Sequence, residues 1–277
     1  MTLIIHYLKL CRPDAALISF FTYIIGAEIG GKAGISDVVT AFFVTIISTN
    51  FIYSFNAWTD RDIDRINKGY RPIPSGKIHA PHAFTYAMVL LCLSVVYPFF
   101  IYKTPIQLCL FLLLPLLGLL YSAEPFRFRK NPYLATITIS TGLNIPILLG
   151  YVMNTDTYTH IPFFFSLFLY CLAVIPLKQI EEVKEDHYKQ VVNLYTRYGQ
   201  SVIRFSLTGL FLNVIIVEII VADIRLRLFA MMLNITTLMV ILIFRQVNGK
   251  LNQLYTLIIR TVIAESVVLF FLLKRLG

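Results

Sequence analysis

The amino-acid sequence predicts an all-α membrane protein, a polytopic bundle of about nine transmembrane helices. Of its 277 residues, 57% are hydrophobic and only 14% are charged. A soluble domain has about 45–50% apolar and about 25% charged residues. The apolar residues are gathered into segments close to the roughly 20 residues that a helix needs to cross the hydrocarbon core. No long polar insert separates the segments, so we expect one intramembrane domain over residues 1–277.

The apolar segments follow a short N-terminal stretch that ends in Cys11-Arg12-Pro13. The predicted spans are Asp14–Ile29, Ser36–Ala57, Ala83–Tyr102, Pro105–Tyr121, Tyr133–Met153, Ile161–Lys178, Ser201–Ala222, Leu228–Phe244 and Leu254–Leu273. A long polar stretch follows the second span, and another follows the sixth. This repeated pattern suggests two related halves, roughly 1–130 and 131–277, each of which contributes one acidic motif to a shared site.

The loop lysines and arginines predict the orientation of the chain. They are more numerous on the side that carries the N-terminus, and cytoplasmic loops carry such an excess. We therefore expect the N-terminus and both acidic motifs at the cytoplasmic mouth of the bundle. The membrane topology and the binding of anionic headgroups or substrates are enough to explain the net charge of +9. We therefore do not expect nucleic-acid binding.

The first acidic motif lies in the polar stretch 55–78. Asn56, Asp60 and Asp64 are spaced i, i+4 and i+8, so on a helix they lie in a row along one face, whereas Asp62 points elsewhere. Oxygen ligands in this arrangement suit Mg²⁺, which binds through one or two carboxylates together with substrate phosphate.

A stiff loop follows this row. Arg71 precedes the sequence Pro-Ile-Pro-Ser-Gly, and the prolines fix the backbone and end any helix. The loop can therefore fold back over the mouth and present Arg71, whose guanidinium is suited to bidentate contact with phosphate. Lys68 and Lys77 are weaker candidates, because the topology of the chain is enough to explain them.

The second acidic motif repeats this chemistry after the sixth span. Gln179, Glu182 and Asp186 are spaced i, i+3 and i+7, again on one helical face. Two rows of oxygen ligands could hold two Mg²⁺ ions, which would clamp a diphosphate and neutralise it as it leaves. The basic candidates for the same diphosphate oxygens are Lys178, Lys184, Arg127, Arg129 and Lys130.

These motifs resemble the signatures of the UbiA superfamily of intramembrane prenyltransferases. The Asn56, Asp60 and Asp64 row with its Arg-Pro-Ile-Pro-Ser-Gly tail is similar to the first signature of that family. The run KQIEEVKEDHYKQVVNLYTRYG at 178–199 resembles the second, and YSAEPFRFRK at 121–130 resembles the Tyr-Ser-x-Pro-Pro-x-Arg-x-Lys loop. The likeness covers essentially the whole chain, in order.

The resemblance implies an enzyme of isoprenoid biosynthesis, a Mg²⁺-dependent prenyltransferase. An isoprenyl diphosphate enters from the bilayer, ionises to an allylic carbocation on two Mg²⁺ ions, and is attacked by a lipophilic acceptor. The predicted site, from the residues and the resemblance together, comprises the catalytic and metal-binding residues Asp60, Asp64, Glu182 and Asp186, the further metal ligands Asn56 and Gln179, the diphosphate-binding residues Arg71, Lys68, Tyr121, Arg127, Lys130, Lys178 and Lys184, and the pocket residue Asn144.

The chain departs from the family pattern in both acidic motifs and in the basic loop. Ala57 stands where the family often has Asp, and Gln179 and Glu182 also replace Asp. Glu124 replaces the first proline of the Pro-Pro pair. Glu182 can still act as a ligand but Ala57 cannot, so we expect retained metal binding with altered geometry.

Two alternative functions are also compatible with the sequence. A UbiA-type terpene cyclase would ionise the same diphosphate and quench the cation internally, without an acceptor. A transporter or channel would line a path with intramembrane polar residues. The candidates for such a path are Asn144, Arg204, Glu218, Arg260 and Glu265.

Overall fold

The predicted all-helical membrane architecture is confirmed. A computed structural model describes residues 2–31, 33–181, 193–246 and 253–276. Within these ranges the chain forms helices and turns, and no β-strand occurs in them. Eight of the described helices are long and apolar enough to cross a membrane, or nine if a bent N-terminal pair counts as one span.

The first compact unit comprises Met1–Arg129 and Ile145–Asp156. Its helices are α1 (Thr2–Cys11), α2 (Pro13–Gly30), α3 (Ile35–Ala41), α4 (Ser48–Thr59), α5 (Arg61–Asn67), α6 (Ala80–Val96), α7 (Pro98–Ile101), α8 (Pro105–Ser122) and the second half of α9 (Pro132–Met153). A π-helical segment, Phe42–Ile47, joins α3 to α4. At the core of the unit α4 packs against α6 and α8, where Phe51 is fully buried.

The second compact unit comprises Lys130–Asn144 and Thr157–Gly277. Its helices are the first half of α9, α10 (Ile161–Glu181), α11 (Leu194–Tyr198), α12 (Ser201–Ile220), α13 (Ile224–Gln246) and α14 (Leu254–Leu276). Helix α10 packs against α12, α13 and α14. Hydrogen bonds link these helices, for example between the hydroxyls of Tyr170 and Thr237 at 2.7 Å. Such bonds satisfy polar groups that lipid cannot solvate.

The N-terminal region differs from the prediction, because the chain is helical on both sides of Pro13. Helix α1 precedes the predicted first span, and the two helices meet at an angle of 57°. Arg12 lies between them in the left-handed region, with φ of 50°. Proline lacks a backbone N–H and clashes with the preceding turn, so the helix breaks here and restarts with Pro13 in its first turn. Similarly, Pro98 divides the third span into α6 and α7.

Helices α2 and α9 approach each other at glycines in the first unit. A Cβ atom added to Gly26 would overlap the carbonyl oxygen of Ile147, and one added to Gly150 would overlap the carbonyl oxygen of Tyr23. Gly30 meets the backbone of Tyr151 in the same way. In a membrane, small residues of this kind let two helices gain dispersion contacts that larger side chains would prevent.

This contact predicts that Gly150→Ala destabilises the protein, whereas Gly142→Ala in the same helix does not. An added methyl at 150 would force α2 and α9 apart, with a cost of about 1–3 kcal/mol. A Cβ atom added at Gly142 meets nothing within 4 Å. Thermal unfolding of the purified variants in detergent measures the difference. Equal melting temperatures for the two variants would show that this helix contact does not limit stability.

Candidate active site

The first acidic motif forms a row along one face of a nearly continuous helix. The backbone N–H of Asp60 donates to the carbonyl of Asn56 at 3.0 Å, that of Asp64 to Asp60 at 2.8 Å, and that of Lys68 to Asp64 at 2.7 Å. These i→i+4 bonds carry helical geometry through Asp60, where α4 gives way to α5. The side chains of Asn56, Asp60 and Asp64 therefore follow one another along a single face.

Both carboxylates of this row are buried and paired with arginines. The side chains of Asp60 and Asp64 are each 1% exposed. Arg71 Nη1 lies 2.5 Å from Asp64 Oδ2. Arg129 forms an ion pair with Asp60, and Arg127 Nη2 lies 3.9 Å from the same Asp60 oxygen. A buried carboxylate needs such partners, because its removal from water costs several kcal/mol.

Two isoleucines anchor the loop that carries Arg71. Ile73 and Ile78 are buried in one apolar cluster with residues of α1 and α6. The backbone between them closes through a hydrogen bond from the Ile78 N–H to the Pro72 carbonyl at 3.0 Å. Gly76 turns the chain with φ of 74°, a conformation that glycine adopts without steric cost. The Pro-Ile-Pro-Ser-Gly sequence thus fixes the backbone that places Arg71 on Asp64.

Arg129 is the main contribution of the basic loop. It is 8% exposed and lies in the 3₁₀ turn Phe128–Lys130. Besides its ion pair with Asp60, Arg129 Nη1 donates to Asn56 Oδ1 at 3.2 Å. Ser122 Oγ lies 3.3 Å from the same Asn56 oxygen. Ser122 was not among the predicted site residues, although it matches the serine of the Tyr-Ser-x-Pro-Pro pattern. Arg129 therefore connects two members of the acidic row.

The alignment of the basic loop with the family pattern explains why Arg129 takes this role. In the pattern Tyr-Ser-x-Pro-Pro-x-Arg-x-Lys, counted from Tyr121, the final lysine corresponds to position 129 rather than 130. The loop therefore has an arginine at that place. Lys130 is exposed and belongs to the second unit, and its contact with diphosphate stays a prediction. The alternation of basic residues in Arg-Phe-Arg-Lys was the signal that could have singled out Arg129.

Glu124, the residue that replaces a proline of the family pattern, pairs with Arg127. Arg127 Nη1 lies 2.8 Å from Glu124 Oε1. The backbone of Arg127 has φ of 35°, which costs a residue other than glycine about 1–3 kcal/mol. The ion pair helps to hold the guanidinium in place at this strained position.

Ala57 follows Asn56 on α4 and is half-buried. It packs against the apolar cluster that holds Ile73 and Ile78. A carboxylate at this position would lie partly against these apolar side chains, whereas the alanine is compatible with the packing beneath the Arg71 loop.

In the second acidic motif, Gln179 and Glu181 accept hydrogen bonds from backbone N–H groups of the protein itself. The Gln179 side-chain oxygen accepts a hydrogen bond from the Leu194 N–H at 2.6 Å, and its amide nitrogen donates to Thr136 Oγ1 at 3.2 Å. The Glu181 carboxylate accepts hydrogen bonds from the backbone and hydroxyl of Thr256, at 3.0 and 3.2 Å. The Gln179 oxygen already accepts the hydrogen bond from the Leu194 N–H. Metal ligation by this oxygen stays a prediction.

The other predicted residues remain untested as site residues. Glu182, Lys184 and Asp186 lie outside the described residues. Lys68, Tyr121 and Lys178 are half-buried. Asn144 is buried, and its side chain donates to the carbonyl of Ser140 at 2.9 Å. Their contacts with substrate stay predictions.

The acidic row fits Mg²⁺ as part of a larger ligand set. Asp64 Oδ1 is buried and has no hydrogen-bond partner among the described residues. Two carboxylates and an amide carbonyl are hard oxygen donors, which Mg²⁺ prefers. No group of three or more His, Cys, Asp and Glu side chains lies close enough to bind a metal within the described ranges, so further ligands are needed.

Comparison with known proteins identifies the family. The pattern of the UbiA prenyltransferase family matches residues 16–256. The chain belongs to the UbiA prenyltransferase family. It is 25% identical over 193 residues to the digeranylgeranylglyceryl phosphate synthase of Methanosphaera stadtmanae, over 70% of this chain and 69% of that protein. It is 34% identical over 99 residues to the chlorophyll synthase of Arabidopsis thaliana, over 34% of this chain and 26% of that protein.

Solved structures of UbiA homologues share the fold. A homologue from Archaeoglobus fulgidus bound to GPP and Mg²⁺ superposes with a TM-score of 0.77 at 19% identity, over 95% of this chain and 99% of that one. A homologue from Aeropyrum pernix K1 gives a TM-score of 0.70 at 14% identity, over 94% of this chain and 98% of that one.

The family membership establishes the class of protein. This UbiA protein is a prenyltransferase and a multi-pass integral membrane protein, as its relatives and its apolar helices show. The relatives named above are synthases, and another is a 2-acylphloroglucinol 4-prenyltransferase from Humulus lupulus. These names do not support the alternative of an acceptor-independent terpene cyclase.

The anchoring of the Arg71 loop predicts that Ile73→Ala is destabilising and that Ile66→Ala is not. Loss of the buried Ile73 side chain leaves a cavity and costs about 2–4 kcal/mol, whereas Ile66 is 74% exposed. Thermal unfolding and limited proteolysis of the 68–79 loop measure the two effects. A normal melting temperature and loop protection in Ile73→Ala would show that the isoleucine does not anchor the loop.

Proposed function

We propose that this UbiA protein transfers an isoprenyl group from an isoprenyl diphosphate to a lipophilic acceptor and releases diphosphate in a Mg²⁺-dependent reaction. The observation that carries the proposal is the pairing of Asp60 and Asp64 with three guanidiniums in one buried cluster. Carboxylates can hold the cations that a diphosphate needs, and guanidiniums can hold its oxygens directly. A cluster that contains both suits a metal–diphosphate complex.

The acidic row would hold the metal. Asp60 and Asp64, with Asn56, would supply oxygen ligands from the first motif, and Glu182 and Asp186 would supply them from the second. We expect two Mg²⁺ ions. When bound, the metal neutralises the charge that develops on the departing diphosphate.

The arginines would bind the diphosphate oxygens. Arg71 is 28% exposed and so extends from the buried Asp64 toward accessible space. The Nε atoms of Arg127 and Arg129 are buried and have no hydrogen-bond partner within the described part of the chain. Each can donate to an added acceptor, which a phosphate oxygen would provide. Lys68, Tyr121, Lys178 and Lys184 are further candidates.

The relatives support a lipophilic acceptor. The digeranylgeranylglyceryl phosphate and chlorophyll synthases are both named for lipophilic products, and a homologue from Archaeoglobus fulgidus was solved with GPP or DMAPP and Mg²⁺. We infer that both substrates of this protein reach the site from the bilayer. The excess of loop lysine and arginine supports placing the N-terminus and the acidic motifs on the cytoplasmic side.

The polar residues of the helices give little support to transport. Arg204 and Arg260 are exposed on their helices. Glu218 pairs with Arg227, whose Nη1 lies 3.3 Å from Glu218 Oε1. Asn144 and Glu265, the other two candidates, are buried, so the five side chains do not share one environment.

The proposed function predicts that Asp60→Asn and Asp64→Asn each lower the rate of diphosphate release by at least about 100-fold, because each removes a charged ligand from the leaving-group site. Asp62→Asn is the matched control. Asp62 belongs to the same segment, but its side chain is 71% exposed, and we expect a change within about twofold.

The assay supplies isoprenyl diphosphates of several chain lengths with Mg²⁺ and a membrane lipid extract as acceptor. Diphosphate release and mass spectrometry of the lipids measure turnover, and removal of Mg²⁺ with a chelator is expected to stop it. Failure of the wild-type protein to consume any of these diphosphates would overturn the proposed function.

A further inference from the structure

The ion pairs of the first motif occupy oxygens that a metal would use. Arg71 Nη1 lies 2.5 Å from Asp64 Oδ2, and Arg129 pairs with Asp60. Mg²⁺ binds carboxylate oxygens at about 2.0–2.1 Å. A guanidinium and a divalent cation at the same carboxylate repel each other strongly where water is excluded. The arginines and the metal therefore compete for Asp60 and Asp64.

The ion pairs make this competition unfavourable for a metal added alone. Arg71 and Arg129 each pair with one buried carboxylate. A divalent cation added alone would have to displace these guanidiniums with no anion to accept them. An anion that accepts the displaced guanidiniums would remove this cost. Arg71 has the exposure to reach such an anion, and the buried Nε atoms of Arg127 and Arg129 supply unused donors.

We propose that Arg71 and Arg129 are internal counter-ions of the acidic row, and that they exchange Asp64 and Asp60 for the diphosphate when the metal binds. Metal and diphosphate then bind as a coupled pair, each raising the affinity for the other by the same factor. The proposal rests on the proposed function and adds its order of events: in the absence of the diphosphate, the row binds metal more weakly.

The test measures metal binding rather than turnover. Mn²⁺, which takes the same oxygen ligands, is titrated into the full-length protein in detergent and followed by electron paramagnetic resonance, with and without inorganic pyrophosphate. Asp64→Asn identifies the signal that belongs to the first motif. We expect the wild-type protein to bind Mn²⁺ at this site at least about tenfold more tightly with pyrophosphate than without it.

Arg71→Met removes the competing cation and keeps a side chain of similar length. We expect it to bind Mn²⁺ alone about tenfold more tightly than the wild type does, and to lose most of the enhancement by pyrophosphate. Arg61→Met is the matched control. Arg61 lies in the same segment but pairs with the exposed Asp62, at 3.7 Å, and we expect it to behave like the wild type.

Arg71→Met leaves Asp64 buried without its guanidinium, so its stability is measured as well. We expect Mn²⁺ alone to raise the melting temperature of this variant and to leave that of the wild type unchanged. We expect Arg129→Met to have the same effect on metal binding through Asp60. This variant replaces Arg71→Met in the test if Arg71→Met does not fold.

The proposal is wrong if neither arginine variant binds Mn²⁺ more tightly than the wild type, or if Arg61→Met gains as much as Arg71→Met. It is also wrong if the wild type binds Mn²⁺ equally well with and without pyrophosphate. These outcomes differ from failure of the proposed function, which appears as absence of turnover of isoprenyl diphosphates by the wild-type protein.

Discussion

The burial of two carboxylates is the constraint on which the candidate site depends. Asp60 and Asp64 lie on one helix face, at a depth where an unpaired charge would be costly. Their counter-charges come from two separate loops, through Arg71 on one side and Arg129 on the other. Each ion pair fixes a loop, and each loop in turn fixes where a guanidinium would meet the proposed diphosphate. Stability and the proposed chemistry therefore rest on the same contacts.

Apolar packing supplies the precision that charge alone cannot give. Ile73 and Ile78 hold the Arg71 loop in a cluster with α1 and α6, and Ala57 completes that cluster. Opposite charges attract over a range of distances, whereas packed side chains tolerate little displacement. Where the chain departs from the family pattern, the structure gives a local reason: Ala57 packs beneath the loop, and Glu124 holds Arg127.

The described polar residues of the second motif bind the protein's own backbone. Gln179 binds the backbone at Leu194, and Glu181 binds the start of α14 through Thr256. Both side chains satisfy backbone groups at helix starts, which have no partner within their own helices. In a run of polar residues beside a membrane span, some members must complete the ends of helices, so spacing by itself overstates how many can serve a ligand.

The sequence by itself determined the helical membrane fold, the approximate spans and the acidic row, because hydrophobic length and a spacing of four residues are local properties. It did not show the helix before Pro13, since a short apolar stretch ending in proline has no length signal of its own. Spacing counted from Tyr121 places Arg129 at the last basic position of the family pattern, but it does not show that this side chain reaches Asp60. That depended on the backbone of the loop, where the 3₁₀ turn buries Arg129 and leaves Lys130 exposed. Only the tertiary structure decided which charges meet, because the partners are selected by burial rather than by sequence distance. Asp64 pairs with Arg71 seven residues away, whereas Asp60 pairs with Arg129 in a separate loop.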